Sequence, residues 1–161
     1  MSKSHEERRP ARRAFSLAAL LLSAATVVAV GSAVFAQDHA EAAGATTLDG
    51  VFTAEQVARG DVVYQRECAM CHGANLGGSG MAPPLAGIAF MFYWQDKPLS
   101  ELYTFTRDNM PFGNAGSLPA QTYADIVALI LDANGFPAGD TELGTDVDAL
   151  AQITLVPAPA E

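Results

Sequence analysis

Cysteine occurs only twice in the 161 residues and histidine only three times. A zinc site needs about four ligands. His5 and His39 lie in or beside the first forty residues, far from the cysteines, so too few ligands remain to build one. Basic residues are scarce as well, nine Lys and Arg against eighteen Asp and Glu, for a formal charge of −9. The chain lacks the apolar–polar alternation of half-buried strands and shows no internal repeat, so its folded part is expected to be nearly all helix. No Ser/His/Asp set and no paired carboxylates stand out, which leaves hydrolytic and general acid–base catalysis without candidates.

The few basic residues are unevenly placed. Lys3, Arg8, Arg9, Arg12 and Arg13 open the chain, and Ala14 to Ala36 then carry no charge. Small residues in Val34-Phe35-Ala36 suit a signal-peptidase cut, which makes Gln37 the expected mature N-terminus. The uncharged stretch 14–36 is also long enough to span a bilayer as a retained anchor, and cleavage is the preferred reading of the two. Positive charge ahead of the segment keeps the N-terminus inside, so either reading puts the folded part outside the cytoplasm, in the periplasm. Beyond residue 36 four basic and sixteen acidic residues remain, a formal −12. Nucleic acid and anionic membrane surfaces are poor partners for such a body, and a basic patch on another protein is a good one.

Both cysteines fall in Cys68-Ala69-Met70-Cys71-His72. The C-x-x-C-H string is the attachment site of a c-type haem: two thiols add to the two vinyl groups, and the adjacent imidazole reaches the iron. A thioredoxin-like pair also reads C-x-x-C, but it needs a strand before a helix and a first thiol of low pKa, and the residues before Cys68 read as helix. A plain disulfide between Cys68 and Cys71 is the remaining alternative. Haem is attached to an unfolded chain after export, so Arg12-Arg13 is read as a coincidental match to a twin-arginine signal.

Roughly 125 residues follow the leader, enough for one domain. Residues 37–51, rich in Ala, Gly, Thr and Asp, read as a flexible lead-in. A first helix is expected from a capping box, Thr53 with Gln56, stapled by Phe52 on Val57 and running to about Cys68. Gly60 inside it costs roughly 1 kcal/mol against alanine, which a close helix–helix approach would offset. A second helix is expected from Pro98 to Asp108. A last helix should follow Ser117 as N-cap, with Tyr123, Ile126, Val127, Ile130 and Leu131 as an apolar stripe, and end at Asn134-Gly135-Phe136-Pro137. The domain is therefore expected over 52–137, with 138–161 as a tail packed on it or trailing from it.

A haem needs a second axial ligand, or an open site if it does chemistry on a small molecule, and the ligand candidates after the motif are methionines, because no histidine follows His72. Met70 sits inside the motif. Met81 is nine residues from His72, a short path to the opposite haem face, and Met91 lies in the apolar run Phe90-Met91-Phe92-Tyr93. Met110 follows a helix, precedes Pro111, and has 38 positions of chain behind it to pass around the haem edge. Met110 is the expected ligand.

Over residues 50–137 the chain resembles the class I c-type cytochromes. The matching residues are Cys68–His72, Ala82-Pro83-Pro84-Leu85, Trp94, Asn109-Met110-Pro111 and the stripe on the last helix. The resemblance extends to the small cytochromes that partner quinoprotein dehydrogenases, through Pro83–Gly87, Met110-Pro111 and Asn134–Gly139. It implies an all-α class I cytochrome c fold, three to five helices around one covalent haem. It also implies that the Pro83 carbonyl accepts a bond from His72 Nδ1, that Trp94 reaches a haem propionate, and that Gly60 and Tyr64 pack on the last helix. Leu129 stands where many relatives have an aromatic residue. The expected function is one-electron transfer through a His/Met-ligated iron (His72 and Met110), between a dehydrogenase and a respiratory chain, without catalysis by the chain itself. Alternatives are a cytochrome subunit of a quinoprotein-type dehydrogenase complex, and a haem enzyme or gas sensor with an open distal side.

Overall fold

The computed structural model describes residues 44–157; the expected leader at 1–36 and the first part of the lead-in lie outside the described residues. Among those residues the chain forms six helices in the order α1 (Ala54–Glu67), α2 (Ala69–His72), α3 (Ile88–Trp94), α4 (Leu99–Asn109), α5 (Ala120–Ala133) and α6 (Val147–Leu150). No strand is present there, only isolated bridges of Thr154 with Thr46 and Pro98.

The first helix starts where the capping box places it. Thr53 Oγ1 accepts from the Gln56 N–H at 3.3 Å, and Gln56 Oε1 accepts from the Thr53 N–H at 3.4 Å. Gln56 is fully buried, because its side chain has further partners: Nε2 donates to Asp125 Oδ1 and to the Leu143 carbonyl, and Oε1 accepts from the Leu143 N–H. One cap residue thus ties α1 to α5 and to the tail.

The α1–α5 pair is the frame of the domain. Gly60 is the point of closest approach: a Cβ there would fall against the Asp125 carbonyl, 2.7 Å from its carbon atom. Helix α5 is buried continuously from Tyr123 to Leu131, so the expected stripe is widened to every side of the helix. The acidic residue in that run, Asp125, is held by Arg59 through Nε to Oδ2 and Nη2 to Oδ1, both 2.9 Å, and by the amides of Gln56 and Gln121. Burial pushes the Asp125 carboxyl up, but these hydrogen bonds outweigh it and hold it below the ordinary carboxylate range.

Two expectations differ from what is found. Helix α5 begins at Ala120 with Pro119 at the N-cap and no side-chain cap, not behind Ser117. The residue before a proline is disfavoured in the α region, so Leu118 stays out of the helix. The described part of the lead-in is not free chain: Thr47 is fully buried, its N–H donates to the Thr154 carbonyl at 3.0 Å, and the Thr154 N–H donates to Ala45 at 2.8 Å. The tail takes the packed form of the two expected: the Asp96 and Leu99 N–H groups donate to the Leu155 and Ile153 carbonyls, while Leu143, Leu150 and Leu155 enter the core. Each buried leucine contributes roughly 1.5–3 kcal/mol, which is why the tail stays on the domain.

Candidate functional site

Helix α1 ends where the C-x-x-C-H string begins. The Cys68 N–H closes the last turn onto Tyr64, and the Cys71 and His72 N–H groups both donate to the Cys68 carbonyl, at 3.1 and 3.0 Å. The motif is therefore wound into a helical turn. Positions three and four apart share a face, so Cys68, Cys71 and His72 present their side chains together. Gly73 then leaves the helix at φ 80°, and its carbonyl accepts from the Tyr64 hydroxyl at 2.6 Å.

Both cysteines are unpaired and half-buried. Burial first, then the nearby Glu67 and Cys71, pushes the Cys68 thiol up to about 11. A redox dithiol of the thioredoxin kind requires the opposite, a first thiol that ionises readily. Among the described residues no cluster of three or more His, Cys, Asp or Glu could hold a metal ion, so a zinc centre has no ligand set there.

His72 is buried, and its Nδ1 lies 2.9 Å from the Pro83 carbonyl oxygen. A carbonyl can only accept, so the contact puts the proton on Nδ1 and leaves the Nε2 lone pair for an iron. The loop carrying Pro83 is anchored at both ends. Leu76 and Leu85 share a backbone bond of 2.8 Å, and the Gly78 N–H donates to the His72 carbonyl at 2.7 Å. Asn134, at the end of α5, closes the far side: Oδ1 accepts from Gly87 N–H, and Nδ2 donates to the Leu85 and Ile130 carbonyls. Sequence reading took Asn134 for a helix terminator only. Its second role had no local signal, since its partners lie some fifty positions away.

The three methionines separate cleanly. Met81 is 69% exposed in the loop after the motif, Met91 is buried in the core by α3, and Met110 is half-buried at the end of α4. Met110 has extended backbone, φ −124° and ψ 153°, the conformation that a residue before proline favours. Its N–H closes the last turn of α4 on Thr106, and its carbonyl accepts from the Tyr123 hydroxyl at 2.9 Å. Trp94 sits in an aromatic cluster of α3 and α4, 5.6 Å from the Phe105 ring and 5.1 Å from Tyr93 between centroids, with Lys97 Nζ 5.1 Å above its ring. The structure thus brings Cys68, Cys71, His72 and Pro83 together, while Trp94 contacts Phe105, Tyr93 and Lys97.

Several large apolar side chains in and after the motif are left exposed, Met70, Met81, Ile88, Phe92 and Phe112 at between 69% and 92%. Two free thiols and an imidazole nitrogen with its lone pair make a donor set suited to a covalently held haem.

Residues 55–130, from the first turn of α1 to near the end of α5, match the family described as cytochrome C oxidase, cbb3-type, subunit III. Together with the attachment motif and the helical frame, this match supports an all-α class I c-type cytochrome fold carrying haem c over those residues. A solved structure similar to it is the sulfane dehydrogenase SoxCD from Paracoccus pantotrophus, at 24% identity and a TM-score of 0.46 over 66% of this chain. The match covers 61% of that longer chain. No curated protein matches the chain.

Proposed function

We propose that the chain is a periplasmic one-electron carrier that takes electrons from a dehydrogenase and passes them to a respiratory chain, with Cys68 and Cys71 as thioether anchors and His72 and Met110 as axial ligands. The observation that carries this reading is the His72–Pro83 contact, because it commits the imidazole to one tautomer and aims Nε2 away from the loop. The haem supplies a one-electron Fe(II)/Fe(III) couple. His72 is held through its carbonyl bond, and Met110 by its place at the end of α4 and its carbonyl's bond to Tyr123 of α5. A thioether favours Fe(II), so this ligand pair raises the reduction potential. Held by both His72 and Met110, a haem iron would have no position open to a substrate, and the chain would transfer electrons without catalysing a reaction of its own.

The test is spectroscopic. Ferric protein should show the weak far-red sulfur-to-iron charge-transfer band, lost in Met110→Ala and kept in Met81→Leu and Met91→Leu. Loss of the band in Met81→Leu or Met91→Leu instead would move the ligand. A high-spin ferric spectrum in the wild type would point to the open distal side of a haem enzyme or gas sensor.

A further inference from the structure

We propose that Tyr123 is a positioning residue for the distal ligand, a clasp that holds the Met110 loop shut from helix α5. The proposal rests on the reading of Met110 as the iron ligand. Tyr123 is 1% exposed and opens the buried run of α5. Its hydroxyl joins the two ends of one loop: it donates to the Met110 carbonyl at 2.9 Å and accepts from the Leu118 N–H at 3.3 Å. A single O–H thereby satisfies a carbonyl and an amide eight positions apart.

The loop it closes has little else to hold it. Inside it the Asn114 N–H donates to Pro111 at 2.8 Å, and the Gly116 N–H reaches the Met110 carbonyl only at 3.4 Å. Phe112 to Ser117 are exposed, so no core packing supports them. Upstream, Met110 is fixed through its N–H as the last turn of α4. Downstream, its carbonyl depends on Tyr123. The backbone of Met110 is therefore set from both sides, by α4 and by α5, and only side-chain torsions are left free to place the sulfur. A phenylalanine at 123 would fill the same volume and leave that carbonyl with its longest partner alone. An ordinary hydrogen bond of this kind is worth about a decade in an equilibrium.

Cyanide competes with the thioether for ferric iron, so its affinity reads how readily Met110 lets go. Four holoproteins are compared well below their melting temperatures: wild type, Tyr123→Phe, Tyr103→Phe and Met110→Ala. Tyr103 is the control, a buried tyrosine whose hydroxyl reaches Ala120 at 3.4 Å and not Met110. Tyr123→Phe should bind cyanide about tenfold more tightly than wild type, with the far-red band intact without cyanide, and Tyr103→Phe should match wild type. A purely structural hydroxyl would lower the melting temperature of Tyr123→Phe and leave cyanide affinity unchanged; that result, with the band absent from Met110→Ala, overturns the clasp while the ligand assignment stands. A band that survives in Met110→Ala overturns the ligand assignment, and the clasp with it. If Tyr123→Phe yields no folded holoprotein, the Leu118 amide in wild type serves instead. Its hydrogen exchange should accelerate at least tenfold in the cyanide complex, and unchanged exchange rejects the clasp.

Discussion

At the scale of single residues, the chemistry of the site is concentrated in side chains whose roles differ by atom. Cys68 and Cys71 contribute sulfur only, and removing one should remove one thioether. Cys71→Ser is expected to keep haem through Cys68, with a red-shifted reduced spectrum from the vinyl group left unsaturated. Acidified-acetone extraction checks the wild type: haem should stay with the protein, and free haem in the extract would refute covalent attachment through these two residues. Met110→Ala should lower the reduction potential by removing the thioether that favours Fe(II), which voltammetry measures directly. His72 needs its partner more than its neighbours in sequence, since the Pro83 carbonyl at 2.9 Å decides which ring nitrogen is left to coordinate.

At the scale of elements, the α1–α5 crossing governs stability. Gly60→Ala should force the helices apart, because the new methyl meets backbone and not a side chain that can swing away. A cost of about 2–3 kcal/mol is expected from overpacking, read as a lower denaturation midpoint with an unchanged slope. The Asp125 cluster beside it gives the crossing a pH dependence. The folded protein holds this carboxyl below its ordinary value of 3.8, so its contribution is whole above that value and fades as pH falls through the lower folded value. Asp125→Asn should accordingly be less stable than wild type at pH 7, by about 1–2 kcal/mol given that Arg59 is 45% exposed, and the two should converge as pH falls through the lowered folded value. Denaturation at several pH values decides it; a gap that persists in acid would rule out the charge as the cause.

At the scale of the whole molecule, charge is the dominant feature. The four basic residues beyond position 36 are all engaged within the chain. Arg59 binds Asp125 and Glu142, Arg66 binds Glu67, Arg107 binds Asp108, and Lys97 lies 4.0 Å above the Tyr93 ring. Among the described residues most acidic side chains therefore face solvent, with no basic patch there to answer them. Electrons leave a haem most readily at an exposed edge, and the exposed, weakly charged loop from Pro111 to Leu118 suits close contact there. Acidic residues farther out would steer a basic redox partner, so association rates should fall steeply as salt screens charges beyond about 10 Å at 0.1 M. A stopped-flow rate that is flat or rising with ionic strength would assign the acidic surface to solubility alone.

Where the signal was local, the amino-acid sequence by itself settled the outcome. The C-x-x-C-H string is five consecutive residues; the capping box at Thr53 and Gln56 spans four; the end of α5 at Asn134-Gly135 needs only a left-handed glycine, found at φ 82°. Each depends on chemistry within a turn or two, which a linear chain displays openly. What the tertiary structure alone decided involves partners far apart in the chain. Thr47 meets Thr154, Gln56 meets Leu143, Asn134 meets Leu85 and Gly87, and Arg59 meets Asp125. Residues 44–51 read as flexible, and the tail as either packed or trailing, because each supplies backbone partners of the other and neither carries a pattern by itself. Helices α3 and α6 are short, at seven and four residues, below the length at which periodicity speaks. The clasp of Tyr123 on Met110 belongs to the same class: sequence placed the tyrosine on an apolar stripe, and only folding brought its hydroxyl to the loop, because a buried O–H must find a partner wherever the packing offers one.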